Sequence, residues 1–540
     1  MSTGSTVDRA APPVARKHAA YIGALRSAVG AVSLAMPLVA IVIGGVSLRL
    51  WQINAFGYNS DEAVYAGQAA GMVGDADLQP FFPVFRAHPL LFQFVLALSF
   101  NGGVVDVVGR YVAVAIGAAT IVLTYMAGAL MFGRRVGLIA ALFLAVMPYH
   151  VVVTRQVLLD GPMTFCATLA MYLMARHART GRVAWLYAAA AAIGLAFEAK
   201  ETAIIFIAAI YTYLSLSPEI FVRLRDIAAA TFSFVLIILP FPISLYLAGG
   251  GGATRTQQYL VWQLLRRPNH DLAFYPTILP GAIGPILIIV ALVGLVAWRR
   301  GITWRERLLV AWCAVPLLFF EIWPVKGFQY PVVIAPALCI LAASALVRLA
   351  RADLGRLPLR GRLSSLSHSP AVPARLSVAL TAVLALSLTI PALAAVNPSA
   401  SDQFLAGSGG VPGGREVGAW IRTNVPPGAQ MLAIGPSMAN IVQFYGHRRV
   451  YGLSVSSNPL HRNPSYDPIP NPDAQIRANV IQYLVWDSYS GSRSTFFADA
   501  LMRFADRYHG RSVYTHSVDV VDADGRVVSK PVIVVYEVRP

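Results

Sequence analysis

The sequence predicts a polytopic α-helical membrane protein followed by a C-terminal α/β domain. Three observations carry this. Of 540 residues, 56% are hydrophobic and only 13% charged, with mean hydropathy +0.60, more apolar surface than a water-soluble globule can cover. Apolar runs close to or above the ~17 to 20 residues needed to cross a bilayer recur up to residue 396. From Asn397 onward a Gly- and Ser-rich stretch gives way to alternating helix-like and strand-like segments.

The runs fall at residues 29–48, 111–132, 136–153, 162–175, 184–197, 202–216, 227–247, 277–298, 308–323, 331–347 and 376–396, about eleven spans. The first begins too late and is too long for a cleaved leader, so it reads as an anchor. Orientation follows from the basic loops, since Lys and Arg are retained on the cytoplasmic side. With a cytoplasmic N-terminus, the inner segments hold 21 Lys and Arg against 9 in the outer loops. The chain then divides into a cytoplasmic tail (1–28), a transmembrane domain (29–398) with a long outer loop (49–110), and an extracytoplasmic domain (399–540) at the cell membrane.

The formal charge of +17 is concentrated in the membrane part. Residues 1–399 carry 30 basic and 15 acidic residues, whereas 400–540 carry 13 and 11. Topology accounts for this excess, and a nucleic-acid partner is not indicated. Cys166, Cys313 and Cys339 lie inside apolar runs with no pairing or ligand spacing, which argues against disulfides and a thiolate metal site.

Within the outer loop, HPLLFQFVLALSF from His88 is too short for a confident crossing and reads as an interfacial helix. Most acids also fall on the outer side. Asp75, Asp77 and Asp106 read as loop-solvating residues.

The strongest local signal is YNSDEAVYAGQAAGM, directly after the first span. Adjacent carboxylates at Asp61 and Glu62 raise each other's pKa beside an apolar wall, suiting one of them to deprotonate a hydroxyl. Alternatively, Ser60 or Asp61 caps a helix and the acids favour its first turn. A second acid, Asp160, stands with Arg155 in TRQVLLDGP. Isolated lysines occupy two more outer junctions, Lys200 in FEAKETAI and Lys326 in WPVKGFQYPVV. Lys200 has Glu198 and Glu201 beside it to neutralise it. Lys326 has no adjacent acid, so it is either an anion-binding residue or a snorkelling anchor. Four junctions thus bring carboxylates and cations to one face of one bundle.

The Asp-Glu pair after the first helix, R-x-x-L-L-D-x-P, Lys200 and K-G-F-Q-Y-P-V-V-I-A-P together resemble the GT-C superfamily. The likeness is greatest to family 39, the protein O-mannosyltransferases and aminoarabinose transferases of lipid A. The resemblance runs from about residue 48 to 347. It implies an inverting enzyme that uses a polyprenyl-phosphate sugar and faces the outside, with a glycan, glycolipid or protein hydroxyl as acceptor. It casts Asp61 as base, Glu62 as acceptor-positioning neighbour and Asp160 as second acid, with a divalent cation shared by Asp61 and Asp160 in some relatives. Lys200 and Lys326 match carrier-phosphate positions. Arg155, Arg266 and Arg267 are further candidates for the phosphate, and His88, His270 and Tyr330 complete the set. One departure is RAHPLLF, where Ala87 and His88 stand in place of an acid before the proline. His88 then reads as a ligand or phosphate contact in that acid's place, or as a helix-start residue.

Two rivals remain. A transporter predicts inverted repeats and charged, broken helices at the midplane, whereas the polar residues here sit at helix ends on one side. An enzyme moving whole oligosaccharides from a lipid diphosphate shares the same general features.

Overall fold

The computed structural model describes residues 35–100, 102–350, 371–397, 410–521 and 524–540. The N-terminal tail, most of the Arg-rich loop after Arg348 and most of the linker after Asn397 lie outside the described residues.

Helix α1 (Ala35–Leu50) leads to α2 (Ser60–Met72) and the short α3 (Leu91–Ser99). One face of α3 buries Phe92 and Leu96, while Phe94 and Leu98 are exposed. The bundle continues with α4 (Asp106–Phe132), α5 (Arg134–Val146), α6 (Pro148–Val153), α7 (Asp160–Thr180), α8 (Val183–Ala199), α9 (Ile205–Leu216), α10 (Leu224–Ile238) and α11 (Pro240–Ala248). After these come α12 (Gly250–Leu265), α13 (Phe274–Ile283), α14 (Pro285–Ala297), α15 (Trp304–Ile322), α16 (Ala335–Leu349) and α17 (Ala371–Val396).

Small residues let α4 and α5 approach closely, as in lipid-embedded packing. A Cβ on Gly137 would lie 2.5 Å from the Tyr125 carbonyl oxygen. Large apolar side chains on α10, α11, α14 and α17, among them Phe232, Leu236, Ile243, Leu292, Val296 and Ile390, point outward. In water such a belt would be an aggregation surface, and it suits a lipid-facing one.

Among the described residues, four helical stretches are long and apolar enough to cross a membrane: Asp106–Phe132, Leu224–Ala248, Tyr330–Leu349 and Ala374–Val396. A fifth forms if α13 and α14, bent by 96°, are taken as one. Shorter apolar helices, Ala35–Leu50, Val183–Ala199 and Glu201–Leu216, cover three more of the eleven runs read from the sequence, and some runs pass through breaks. Pro148 divides the run 136–153 into α5 and α6, and Gly284, at φ +102°, precedes Pro285 at the α13–α14 bend.

The C-terminal part places α18 (Gly414–Asn424), α19 (Pro436–Gly446), α20 (Pro472–Arg477), α21 (Ser488–Arg493) and α22 (Thr495–Arg507) around a five-stranded sheet. Its strands are β1 (Gln430–Ala433), β2 (Arg449–Gly452), β3 (Ile481–Asp487), β4 (Arg511–Val521) and β5 (Val527–Glu537), in the order β2-β1-β3-β5-β4. The first three are parallel, and β5 runs antiparallel to β3 and β4. Gly525, at φ +77°, lies in the β4–β5 connection, where the sequence places a hairpin turn.

This sheet domain sits on the outer loop. Gly57 bridges to Val411. Asp106, expected to solvate a loop, instead accepts from Arg415 Nη2 at 2.7 Å and from Tyr445 Oη at 2.8 Å. The Tyr58 amide donates to the Tyr445 oxygen at 2.7 Å, and Asn440 Nδ2 donates to Ser60 Oγ at 3.0 Å. Asp77 likewise pairs with His447 Nδ1 at 3.1 Å. The start of α2 is therefore held between bundle and sheet.

Candidate active site

The cap of α2 is Asn59, one residue before Ser60 and two before Asp61, the caps expected from the sequence. Its side chain accepts from the amides of Asp61 and Glu62, and Glu62 reaches back to the Asn59 amide at 3.0 Å, forming a capping box. Glu62 is fully buried. Arg110 clasps it through Nε at 2.9 Å and Nη2 at 2.7 Å, and the Val157 amide donates to it at 3.0 Å. Both carboxylate oxygens are thus engaged by protein donors, where the resemblance casts Glu62 as the acceptor-positioning neighbour. Successive helical residues are turned by about 100°, so Glu62 anchors the helix while Asp61 faces elsewhere.

Asp61 Oδ2 accepts from Gln329 Nε2 at 3.4 Å. Burial raises its carboxyl pKa above the ordinary range, opposed by the nearby Lys200 charge and reinforced by Asp160. Asp160, at the start of α7, accepts from Lys200 Nζ at 2.8 Å, and both residues are buried. The same ammonium lies 3.8 Å from the centre of the Tyr330 ring. Glu201 turns away from Lys200 and pairs with His88 Nδ1 at 2.8 Å, and His88 Nε2 lies 3.4 Å from the Tyr259 hydroxyl. Asp61, Asp160, Lys200, His88 and Tyr330 therefore come together.

Lys326 is buried, and among the described residues no carboxylate pairs with it. Its ammonium donates only to the Trp323 carbonyl, at 3.5 Å. Asn269 pins its backbone in both directions at 2.8 Å. Arg266 stacks on Trp262 at 4.4 Å and lies within electrostatic reach of Tyr330 and Tyr259. His270 stacks on Phe274 at 3.9 Å. Two other expected cations are placed elsewhere. Arg155 donates to the carbonyls of Val396 and Trp51, tying α17 to the end of α1, and Arg267 is exposed.

A family model described as dolichyl-phosphate-mannose-protein mannosyltransferase matches residues 87–246. No curated protein sequence matches the chain. ArnT from Cupriavidus metallidurans, bound to undecaprenyl phosphate, superposes with TM-score 0.66 at 16% identity, over 93% of this chain and 98% of that one. The archaeal oligosaccharyltransferase AglB from Archaeoglobus fulgidus, in complex with an inhibitory peptide and a dolichol-phosphate, gives 0.58 at 13% identity, over 92% and 74%. The chain has the GT-C fold.

In this GT-C chain the sequence missed three site residues. Glu201 could be read only as a neighbour of Lys200, although the structure gives it to His88. Gln329 lies in the quoted K-G-F-Q-Y-P run but carried no charge to single it out. Arg493, on α21 of the sheet domain, lies within electrostatic reach of Asp61 and Asp487, a meeting that only the docking of the two parts creates. Asp487 caps α21 through Ser490 and is fully buried, and burial pushes its carboxyl up to about 6.

An Archaeoglobus fulgidus oligosaccharyltransferase in complex with Zn and sulfate also shares the GT-C fold, with TM-score 0.55 at 12% identity, over 91% of this chain and 72% of that one. Here the donor set differs from a three-ligand cage. Among the described residues no group of three His, Cys, Asp or Glu is placed to hold a metal, and Lys200 already supplies positive charge beside Asp160. Asp61 and Asp160 lie within electrostatic reach of each other, but among the described residues no third such ligand joins them, and no catalytic step is assigned to a metal.

Proposed function

We propose that the chain is an inverting glycosyltransferase that moves one sugar from a polyprenyl-phosphate carrier to an acceptor hydroxyl. The observation that carries this reading is the meeting of Asp61, a carboxylate with a raised pKa, with Asp160 and the buried Lys200 on the GT-C scaffold, with buried Lys326 three residues before Gln329, which bonds Asp61. In the proposed step Asp61 takes the proton from the acceptor hydroxyl. That oxygen bonds to the anomeric carbon from the face opposite the carrier, and the bond from that carbon to the phosphate oxygen breaks. The phosphate leaves with the electron pair, its charge met by Lys326 and Arg266. Asp160, held by Lys200, lends negative potential to the oxocarbenium-like centre. A phosphate leaving group needs no general acid.

Incubating the purified chain with a panel of polyprenyl-phosphate monosaccharides, and scoring which carrier is consumed, tests the donor class. Consumption confined to lipid-diphosphate oligosaccharides in a parallel arm would replace this reading with transfer of a whole glycan.

Lys326→Ala is expected to weaken binding of polyprenyl phosphate by about tenfold or more, the scale of a lost charge-assisted hydrogen bond. Lys326→Arg should recover part of it, because the charge remains while the geometry changes. Parent-like carrier binding and turnover in the alanine variant would leave Lys326 an anchor and move the phosphate to Lys200 or Arg266.

The proposed site faces outward, as does the sheet domain, on the distribution of basic residues. Cysteine at Gly525 should then react with an impermeant thiol reagent in intact cells, and cysteine at Gly361 should not. The opposite labelling pattern inverts the topology.

A further inference from the structure

Beside the catalytic group lies a cleft of ≈ 260 Å³ between the outer loop, α12 and the sheet domain. Its lining holds three arginines, Arg86, Arg255 and Arg449, and one acid, Asp467. Arg86 is 6% exposed, and no carboxylate pairs with it among the described residues. Its guanidinium lies 4.9 Å from the centre of the Tyr466 ring and donates to Asn440 Oδ1 at 3.5 Å. Arg449 is held in the same manner, 5.2 Å from the centre of the Phe81 ring and donating to the Pro80 carbonyl at 3.1 Å. Only Arg255 meets the acid, Asp467, at 3.4 Å. The rings thus fix two guanidinium groups without neutralising them. Asp467 bears on Arg86 as an opposite charge and Arg255 as a like one. The N-terminal end of α19, at Pro436, adds its partial positive charge to the same wall. Burying Arg86 among three cations that share one acid is costly unless an anion completes the set.

The cleft adjoins the catalytic group. Arg86 lies two residues before His88, Arg255 stands one turn before Tyr259 on α12, and Asn440 bonds Ser60, the neighbour of Asp61. Carrier lipid must enter from the bilayer, whereas this cleft opens between the outer loop and the sheet domain. We infer that it is the acceptor subsite and that the acceptor is anionic, a glycan bearing a carboxylate or phosphate that Arg86, Arg255 and Arg449 grip while its hydroxyl reaches Asp61. This rests on the glycosyl-transfer reading above and names its acceptor class.

The test uses the purified full chain and three probes, glucuronic acid, inorganic phosphate and glucose, measured by equilibrium dialysis at low salt. Glucuronic acid, phosphate or both should bind, more weakly as ionic strength rises, and glucose should not. Binding of phosphate alone marks a phosphorylated acceptor, and of glucuronic acid alone a uronate-bearing one. Arg86→Gln should lower the anion's affinity about tenfold or more. Arg255→Gln and Arg449→Gln, at half-exposed positions that spare the fold, should lower it in the same direction. Polyprenyl-phosphate binding should stay unchanged in all three. Absence of anion binding by the parent, equal binding by the half-exposed variants, or equal binding of glucose overturns the inference. Failure of the parent to bind polyprenyl phosphate would instead overturn the donor reading and leave the cleft's anion binding standing.

Discussion

Asp61→Asn leaves the chain folded and slows sugar transfer by ~10²-fold or more, the range of general-base loss. The cap of α2 is Asn59 and its anchor is Glu62, so the helix does not depend on the Asp61 charge. Asparagine matches aspartate in size and can keep the Gln329 contact. Burial holds the Asp61 pKa above its ordinary value, so the ionised form is disfavoured in the fold. Stability is then greater at low pH and declines as pH rises through the raised pKa, which makes the asparagine variant at least as stable as the parent at neutral pH. Activity runs the other way, falling as pH drops through the same pKa because the base becomes protonated. Rate against pH, thermal unfolding in detergent and carrier binding check the three parts. Near-parental transfer by the variant removes Asp61 from the role of base.

Glu62, its neighbour, should fail differently. Glu62→Ala leaves the Arg110 guanidinium buried without its counter-charge and is expected to cost about 3 to 5 kcal/mol, the usual penalty for breaking a buried ion pair. Arg110→Met should cost a similar amount by stranding Glu62. The double variant Glu62→Ala/Arg110→Met should lose less than the two single effects combined, because neither charge is then left alone. Unfolding midpoints of the parent, both single variants and the double variant measure this. A Glu62→Ala protein with parental stability but no transfer would return Glu62 to the chemistry.

The contrast between these two acids shows what could be read in advance. The outer cluster of Asp61, Asp160, Lys200 and Lys326 was visible as chemistry-bearing residues at helix junctions, and one face of a bundle gathers most of it. The division of labour inside DE was also written in the sequence, since Asn59-x-x-Glu62 has the spacing of a capping box, but the carboxylate pair drew attention to the charges instead. Pairings across long separations had no local trace. Lys200 lies 40 residues from Asp160, and adjacency wrongly favoured Glu201, which His88 holds across 113 residues. Arg155, a phosphate candidate in the sequence, donates in the fold to the carbonyls of Val396 and Trp51 at the ends of α17 and α1, contacts with no local trace. Bends within apolar runs, at Pro148 and at Gly284-Pro285, were hidden for a related reason, since mean apolarity does not register a proline or a glycine that bends the chain.

The clamp on the start of α2 also sets a schedule for biosynthesis. The Tyr58 amide waits for the hydroxyl of Tyr445, 387 residues later, and at ribosomal rates that interval is ~20 to 80 s. Throughout it the loop between α1 and α4 stands with the Asp61 helix unclamped and Asp106 without Arg415. A newly made chain therefore passes through a half-assembled stage, in which the helices up to α17 are complete while the sheet domain that holds the start of α2 is still being translated. Chaperones or proteases would encounter this stage first, and a lesion that delays folding of the sheet domain would be felt at the Asp61 helix even though no catalytic group had changed.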